Sequence, residues 1–599
     1  MTQANQESSS FSSTLQIFHL WKYLRPHRRR QLFFWFAVML LSGLSELISL
    51  GAVVPFLSAL SAPEQLLKNQ IIRSVTNKLL ITDAPQILIL VTSIFVLATF
   101  LAAVIRLTNL WLDCKFAAAI GSDLSSEAYK RVLYQPYKVH ASQNSSKIIV
   151  STTTHTTKTV RSITALLQLF TSSFVVVSIL IGLFIYNWKV ALSLVAFFYS
   201  CYALLVSITK DRVLKNSRLI ALFASRQVKS LQEGFGAIRD IVMSSYQDVY
   251  LDKYMRADRP QRNYQASNLF LRSFPRFIIE PLGLCAIASF ALISIISDNY
   301  SGSVISLLGV LALGSQRLLP AVQQIYFNWS IIRDSHADIS AVLGMLSLPL
   351  PEYRAPSDHY YSDCSIKLSN VNFTYGGNSK PILNDINLFI PHGQKLGIIG
   401  STGSGKTTLV DIIMALQPPS TGHLYVQNVL VDEQVNAKEV HAWRASIAHV
   451  PQHIYLSDAT IAENIAFGLD KNQIDIEKVK LSARLAHIAD YIEDCPDAYF
   501  SLVGEQGVRL SGGQRQRIGI ARALYKDSLV IIFDEATSAL DNETESKIID
   551  TIHHLHRNVT IIMIAHRLST LRQCDRIISL QGGHIVKDGT PSQMLDGYN

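Results

Sequence analysis

The sequence predicts a two-part chain, in which an α-helical membrane domain with six spans is followed by an α/β domain built around a phosphate-binding loop. Residues 31–330 carry long apolar runs, whereas residues 350–599 alternate short apolar strands with polar helices and turns. In the second part, a glycine-rich loop at 400–407 follows one apolar run and opens a helical one. With 599 residues, the chain is also too long for one ordinary domain.

Composition excludes several other classes of protein. The net charge of +9 could suggest a nucleic-acid partner, but the basic residues lie beside the apolar runs and therefore indicate membrane topology. We expect no nucleic-acid partner. The six cysteines are scattered, without a Cys-x-x-Cys spacing, which argues against a metal or disulfide framework.

Six apolar stretches are each long enough to cross a bilayer, which takes ~20 residues. The predicted spans are 33–57, 87–112, 165–186, 190–208, 277–297 and 303–326. The domain boundaries that follow are a disordered cytoplasmic tail at 1–20, a transmembrane domain at 21–345, a linker at 346–364 and the α/β domain at 365–599.

The distribution of Lys and Arg predicts the orientation. These residues cluster before the first span and in the loops 113–164 and 209–276, whereas the 298–302 loop holds none. Because cytoplasmic loops carry the excess of basic residues, the N-terminus and the α/β domain are expected in the cytoplasm. The predicted location is the inner (plasma) membrane of a cell, as a multi-pass protein in contact with membrane lipids.

The loops between spans also contain helical patterns. The runs Leu124–Leu133 and Leu219–Ile241 have helical spacing, which predicts that helices continue beyond the bilayer. The segment 62–82 places its apolar residues near one helical face. It is either a short helix on the outer leaflet or an ordinary loop helix.

The glycine-rich loop has the composition that phosphate binding requires. Its glycines let backbone N–H groups turn inward, and the following helix N-terminus favours an anion. Lys406 is expected to reach the β- and γ-phosphates, and the Thr407 hydroxyl to hold Mg²⁺. The residues assigned to phosphate binding are Gly400, Ser401, Thr402, Gly403, Ser404, Gly405, Lys406, Thr407 and Thr408.

Further polar residues follow apolar strands or open helices downstream. Asp534 ends the apolar run 529–533, where a carboxylate facing the phosphate loop holds Mg²⁺, and Glu535 suits a general base. Gln452 offers its amide to Mg²⁺ or to the attacking water. His566 ends another apolar strand and is expected to contact the γ-phosphate.

The remaining motif residues complete the set. Tyr375 could stack on adenine, although an ordinary strand tyrosine is the alternative. A second phosphate-binding surface is expected where a helix begins in the Leu510–Gln514 motif. The residues assigned to it are Ser511, Gly512, Gly513 and Gln514, with Asp541 downstream.

In this order and spacing, residues 350–599 resemble the nucleotide-binding domain of an ABC transporter. With six spans before it, the whole chain resembles an ABC exporter half-transporter, most similar in its membrane half to bacterial flippases of lipid-linked oligosaccharides or related glycolipids. In that family 400–407 corresponds to Walker A and Gln452 to the Q-loop. The signature corresponds to 510–514. Asp534 and Glu535 correspond to Walker B and the catalytic glutamate, Asp541 to the D-loop, and His566 to the switch histidine. Glu505 corresponds to the acidic position of the exporter-specific segment 503–507.

The resemblance implies ATP and Mg²⁺ as cofactors and two copies facing head to tail. Each ATP would lie between the Walker A of one copy and the signature of the other. Because Ser511, Glu535 and His566 are all present, a homodimer with two competent sites is expected. ATP would favour the closed dimer and shift the membrane half between inward and outward states. Coupling helices are expected near 135–145 and 216–229.

A few charged residues fall within the predicted spans. Glu46 and Arg317 lie near the middle of theirs, whereas Arg106 and Glu280 are expected near the cytoplasmic ends. Glu46 and Arg317 either form an ion pair or line a substrate cavity, in which Arg317 would meet an anionic group such as phosphate.

The substrate is expected to be amphipathic, most simply a lipid-linked oligosaccharide or related glycolipid precursor. A lipid A-type flippase and a multidrug exporter are the alternatives within the family. An ABC ATPase that gates a channel or regulates a partner, and a soluble ATPase of the DNA-repair or translation type, are alternatives of other classes. The spans disfavour the soluble ATPase, and the fusion of spans and ATP domain disfavours an importer.

Overall fold

Long helices dominate the first part of the chain. The computed structural model describes residues 19–61, 84–142, 144–186, 188–296, 304–350, 361, 364–375, 380–433, 435–536, 542–554, 559–565 and 571–595. Contacts divide the chain into two compact units. The first unit reaches residue 350 without 136–141, and the second holds 136–141 and the residues from 351 onward.

The helices described in the first part of the chain range from 6 to 50 residues in length. In chain order they are α1 (Pro26–Ser61), α2 (Ala84–Leu133), α3 (Tyr137–Ser142), α4 (Ser145–Val150), α5 (Thr156–Tyr186), α6 (Trp188–Gly236), α7 (Ile238–Met243), α8 (Gln247–Ile296), α9 (Val304–Asp334) and α10 (His336–Leu346). A π-helix, Ser151–His155, joins α4 to α5. Most of α3 belongs to the second unit.

The predicted spans fall on α1, α2, α5, α6, α8 and α9, with residues 297 and 303 outside the described residues. Among the residues that the structure describes, three stretches are long and apolar enough to cross a membrane: Pro26–Val53, Pro85–Leu133 and Ser146–Ile185. The described helices α2 and α6 contain 50 and 49 residues, so each continues well past any bilayer-spanning portion.

Short helices interrupt the long ones at two places. The helix α3 lies within the predicted coupling region 135–145. The prediction of a short helix at 216–229 is wrong, because these residues lie inside the continuous helix α6. The short helix is instead α7, which follows Gly236, a residue type that favours helix termination.

Two sheets organise the second unit. Its strands are β1 (Ile366–Phe373), β2 (Leu383–Ile390), β3 (Lys395–Gly400), β4 (Thr421–Val426), β5 (Val429–Leu430), β6 (Ile447–Val450), β7 (Val530–Asp534), β8 (Thr560–Ile564), β9 (Arg576–Gln581) and β10 (His584–Gly589). The antiparallel sheet has the order β2-β1-β4-β5. The larger sheet has the order β10-β9-β3-β8-β7-β6, parallel except at the β10–β9 edge.

Eight α-helices, α11 to α18, lie in the described part of the second unit after residue 400. They are α11 (Lys406–Ile413), α12 (Ala437–Ala445), α13 (Ile461–Ile465), α14 (Ile476–Leu485), α15 (Ala489–Glu493), α16 (Gly512–Tyr525), α17 (Asn542–His554) and α18 (Pro591–Leu595).

The core of the larger sheet lies on both of its faces. Along β7, Ile531 and Phe533 belong to one buried apolar cluster, whereas Val530 and Ile532 belong to the other. A strand whose alternate side chains are all apolar is expected where helices or sheets cover both faces. This burial fixes the register of β7 and therefore the position of Asp534 at its carboxyl end.

Some sequence predictions concern residues outside the described ranges. These are most of the tail 1–20, the segment 62–82, most of the linker 346–364, and the two motif residues Asp541 and His566.

Candidate functional site

The glycine-rich loop joins β3 to α11 in a shape that glycine makes possible. A Cβ atom on Gly400 would lie 2.3 Å from the carbonyl oxygen of Leu580, so any larger residue would clash with backbone. Gly405 has a φ of 102°, in the left-handed region, and a Cβ there would lie 2.8 Å from Leu383. The loop therefore wraps tightly before the helix begins at Lys406.

The inner side of the loop is prepared for an anion. Lys406 is 7% exposed, and its ammonium donates to the carbonyl oxygens of Gly400 and Ser401, at 2.8 and 3.1 Å. The buried Ser404 hydroxyl has no hydrogen-bond partner among the described residues. A Cβ on Gly403 would meet nothing within 4 Å, so this part of the loop is open. A buried cation, an unpaired hydroxyl and an open concavity fit phosphate oxygens.

Two carboxyl groups near the loop, those of Asp411 and Asp534, are close enough to interact electrostatically. Burial and the neighbouring Glu535 raise the pKa of Asp534, while Lys406 opposes the shift. Burial and the charge of Asp534 raise the pKa of Asp411, on α11, to about 6. Repulsion between two partly buried carboxylates is relieved by a divalent cation, so the donor set fits Mg²⁺.

The structure brings Gln452 and Glu535 together. The Gln452 side chain donates through Nε2 to Glu535 Oε2 at 2.7 Å. Glu535 has a φ of 51°, and its backbone N–H donates to the carbonyl of Ile564 at 3.0 Å. This hydrogen bond continues the pairing of β7 with β8 and holds the glutamate just beyond the strand end.

The second predicted phosphate surface is the start of α16. Ser511 caps the helix: its hydroxyl accepts from the Gln514 N–H at 3.2 Å, and its own N–H donates to the Gln514 side chain at 2.8 Å. Arg515 donates to the Leu510 carbonyl at 2.7 Å and stiffens the approach to the helix. Gln514, predicted to bind nucleotide, therefore holds the cap, while Gly512 and Gly513 supply the first N–H groups of the helix.

Tyr375 lies just after β1 and is about half exposed. Its ring packs edge-on against Phe373, with ring centroids 4.8 Å apart. This contact holds the tyrosine ring in one orientation at the end of the strand. Asp541 and His566 are outside the described residues, so their roles stay predictions.

Three charged residues of the membrane helices, Glu46, Arg106 and Arg317, form one cluster. The buried Glu46 carboxylate contacts Arg317 at 2.5 Å and also contacts Arg106. The ion pair, the first of the two alternatives for Glu46 and Arg317, is thus present, and Arg106 joins it. Two guanidinium groups and one carboxylate leave the cluster with one excess positive charge.

Sequence reasoning missed Asp411 and the contact between Gln452 and Glu535. A signal for Asp411 was present, because it follows Thr407 by four residues and so lies on the same helix face. The Gln452–Glu535 contact depends on the adjacency of β6 and β7, which are far apart in sequence. Within the described ranges, no group of three or more His, Cys, Asp or Glu side chains could hold a metal ion. Mg²⁺ sites that rely on one or two carboxylates and on substrate phosphates show the same pattern.

Comparisons with known proteins agree with this architecture. The ABC transporter family profile matches residues 383–538, and the profile of the ABC transporter transmembrane region matches residues 36–313. An ATP-dependent lipid A-core flippase from Saccharophagus degradans is 30% identical over 489 residues, covering 79% of each chain. One from Pseudomonas savastanoi pv. phaseolicola is 28% identical, covering 99% of this chain and 96% of its own.

A solved structure shows the same fold. The chain superimposes on a structure described as a bacterial Atm1-family ABC exporter with ATP bound, with a TM-score of 0.78. The sequence identity is 19%, and the match covers 95% of this chain and 96% of that one.

The protein is therefore an ABC transporter, with a helical transmembrane domain followed by an α/β nucleotide-binding domain. More narrowly, the chain belongs to the ABC exporter half-transporters, in which both domains are fused in one chain, as predicted. It binds ATP and couples ATP hydrolysis to export or flipping across a membrane.

Proposed function

We propose that this chain flips an amphipathic, anionic glycolipid of the lipid A-core type across the inner membrane. The observation that carries the proposal is the similarity to a lipid A-core flippase over 99% of the chain. This favours the lipid A-type alternative over lipid-linked oligosaccharides and drugs. The excess positive charge at Glu46, Arg106 and Arg317 supports an anionic substrate.

The nucleotide domain supplies the groups for hydrolysis. The phosphate-binding residues 400–408 hold the triphosphate, with the Lys406 ammonium turning from backbone carbonyls toward phosphate oxygens. Tyr375 stacks on the adenine. Glu535 accepts a proton from the attacking water, and Gln452 orients that carboxylate. His566 and Asp541 complete the site in the roles the family resemblance implies.

Thr407, Gln452 and Asp534 are the residues that would hold Mg²⁺. The bound ion would supply positive charge against the phosphate oxygens and offset the repulsion between Asp411 and Asp534. The amide donation from Gln452 to Glu535 leaves the amide oxygen of Gln452 available for this purpose.

The working unit is a homodimer. One chain carries one glycine loop and one capped helix start at Ser511. In the dimer, these two surfaces of one chain contact two different ATP molecules. The rigid cap presents the Ser511 hydroxyl and the N–H groups of Gly512 and Gly513 to the ATP held by the other copy. ATP then favours the closed pair over the open one.

Movement passes to the membrane helices through α3 and α7. Residues 136–141 belong to the nucleotide unit although they lie between α2 and α4. The helix α7 lies at the turn between two helices of about 50 residues.

The distribution of Lys and Arg supports an orientation with the N-terminus and the nucleotide domain in the cytoplasm.

Proteoliposomes test the function. The purified protein, with ATP, is expected to move fluorescent lipid A-core from one leaflet to the other, while Glu535→Gln is the inactive control. A fluorescent pyrophosphate-linked oligosaccharide lipid is the competing substrate. If only the oligosaccharide lipid moves, the lipid A-type assignment is wrong. If neither moves while ATP is hydrolysed, the glycolipid assignment is wrong.

A further inference from the structure

A cavity of about 390 Å³ lies between α5 and α9 in the membrane unit. Its polar side is formed by Arg161, Thr164, Gln168 and Asn328, and its apolar side includes Phe327 and Ile331. This size lies within the range of ligand pockets, and a few polar groups on an apolar wall are typical of them.

Asn328 is the first sign that the cavity holds a ligand. The residue is 1% exposed, and neither its Nδ2 nor its Oδ1 has a hydrogen-bond partner within the described ranges. Burying an amide with both polar atoms unpaired is unfavourable, so such a group calls for a partner other than the described residues of this chain.

Arg161 is the second sign. Among the described residues no carboxylate lies within ion-pair distance of its guanidinium. Its charge is close enough to repel Arg272, whose own charge is compensated by Asp334. The positive charge beside the cavity is therefore not neutralised by the protein.

The groups on the polar side are mainly donors. Arg161 offers guanidinium N–H groups, and the amides of Asn328 and Gln168 offer N–H₂ groups. Gln168 also accepts from Gln324 at 3.4 Å, so its oxygen already has a donor while its N–H₂ group is available. Several donors and one uncompensated cation suit a phosphate group, and the apolar wall suits a hydrocarbon chain.

The cavity lies where lipid head groups are found. Arg161 precedes the predicted span 165–186 by four residues, and Asn328 follows the span 303–326 by two. In the proposed orientation both ends face the cytoplasmic leaflet, where basic pockets between membrane helices bind anionic head groups. The cavity is separate from the Glu46 cluster, because Asn328 follows Arg317 by eleven residues, ~16 Å along a helix.

We propose that this cavity binds the phosphate head group of a membrane lipid in the cytoplasmic leaflet. The phosphate bonds to Arg161, Asn328 and Gln168, and the acyl chains lie along Phe327 and Ile331. The proposal rests on the proposed orientation, but it does not require the bound lipid to be the one that is transported.

The test uses the full-length protein in phosphatidylcholine nanodiscs. Dioctanoyl phosphatidic acid, a phosphate monoester, is expected to raise the melting temperature in a saturable manner, whereas dioctanoyl phosphatidylcholine is not. Arg161→Gln and Asn328→Leu should each weaken phosphatidic acid binding at least tenfold. Arg256→Gln, which removes an exposed charge on α8, is the matched control and should bind normally.

The ligand-free protein separates a binding role from a structural one. Because the Asn328 amide lacks a partner, Asn328→Leu without lipid should melt at or above the wild-type temperature while losing the response to lipid. A lower melting temperature of that variant, with lipid binding unchanged in Arg161→Gln, would overturn the proposal.

Inorganic phosphate distinguishes the two sources of the anion. A shift by inorganic phosphate at the same concentration, also lost in Arg161→Gln, would show a site for free anions and overturn the lipid assignment. Lys406→Ala weakens phosphate binding at the nucleotide loop and should leave the phosphatidic acid response intact. Failure of the flipping assay with this response preserved would count against the proposed function alone.

Discussion

At the scale of single residues, Glu535 is the clearest case of a backbone conformation that is imposed by the surrounding structure. A non-glycine residue with a φ of 51° is held by its surroundings against a preference for negative values. Its N–H bond to Ile564 and its side-chain bond from Gln452 supply that restraint. Such strained backbone is often retained where a side chain must point in one direction for function.

Glu535→Gln should bind ATP but hydrolyse it at least about 100-fold more slowly, because general-base catalysis contributes ~10²–10⁴-fold. The measurements are the steady-state ATPase rate and the ATP dissociation constant of the full-length protein. Glu477→Gln, on the exposed side of α14, is the control and should hydrolyse normally. Wild-type turnover in Glu535→Gln would refute the assignment of the base.

Asp411 gives a pH-dependent prediction. Its pKa in the folded protein is about 6, above the usual aspartate value, so between about pH 4 and 6 the folded state binds more protons than the unfolded chain. The free energy of unfolding therefore falls as the pH rises through this window. Without nucleotide or Mg²⁺, Asp411→Asn should melt above wild type at pH 8, and the difference should shrink toward pH 4.

Thermal unfolding of wild type and Asp411→Asn at several pH values checks this. Asp494→Asn, an exposed substitution of the same kind, should show no such pH-dependent difference. A difference for Asp411→Asn that stays constant from pH 4 to 8 would mean that the carboxyl is not perturbed in the folded protein.

The sequence predicted which residues carry the motifs, because Walker A, the signature and the strand-end carboxylates are defined by local spacing. It did not predict the partners of Arg106, which it placed near a helix end on the assumption that its charge reaches the interface. The structure gives Arg106 the same carboxylate as Arg317. Glu46, Arg106 and Arg317 lie on three different helices, and the sequence of one helix does not show which residues of another helix it contacts.

At the scale of elements, the junction between α9 and α10 is held by buried polar contacts. Asn268 and Arg272 on α8 donate to the Asp334 carboxylate, and Ser217 on α6 donates to the Asp334 carbonyl. Next to it, the buried His155 at the end of the π-helix is hydrogen-bonded to Asp338 on α10 at 2.6 Å. These contacts with α6, α8 and the π-helix fix the junction between α9 and α10, where the chain leaves the membrane helices.

Asp334→Ala should destabilise the protein by roughly 3–5 kcal/mol, because it leaves the buried Arg272 charge without a partner. The melting temperature of the purified full-length protein is the measurement. Glu543→Ala, which removes the carboxylate of the exposed pair with Lys547, is the control and should change little.

Replacing both partners of the buried pair gives the opposite expectation. The double variant Asp334→Leu/Arg272→Met should recover much of the loss, because no uncompensated charge remains. Equal melting temperatures for Asp334→Ala and the Glu543→Ala control would show that the buried pair does not stabilise the junction between α9 and α10.

Element boundaries were predicted less well than element types. The family resemblance implied a short coupling helix near 216–229, whereas the chain stays in one continuous helix to Gly236. Two glycines, Gly234 and Gly236, were the better signal, because glycine favours the end of a helix. The π-helix at 151–155 has no sequence signature and depends on the packing of His155 against α10.

At the scale of the whole molecule, the two-part organisation followed from the apolar runs and from one local motif. Apolar runs long enough for a bilayer and a glycine loop between strand and helix are patterns of high specificity. The order of the strands in the larger sheet, with β3 between β9 and β8, was not predictable, because it depends on long-range pairing. That order places the glycine loop beside the strand that ends in Ile564, next to β7 and Asp534.

A homodimer is the expected state of the molecule in the membrane. Co-expression of two copies with different affinity tags, followed by purification on both tags in turn, should recover particles with the mass of two chains. Native mass spectrometry of those particles is the measurement. Single chains, or one copy bound to a different protein, would contradict the homodimer and the pair of equivalent ATP sites.

The length of α2 has a mechanical consequence. A helix of 50 residues is ~75 Å long, and a bilayer core takes up only ~30 Å of it, so about 45 Å projects as a rigid arm. If such an arm tilts by ~10° about the membrane surface, its far end sweeps roughly 8 Å. A small angular change within the lipid therefore corresponds to a large displacement at the far end of the helix. Conversely, a displacement of several ångströms at the far end tilts the part within the lipid by only a few degrees.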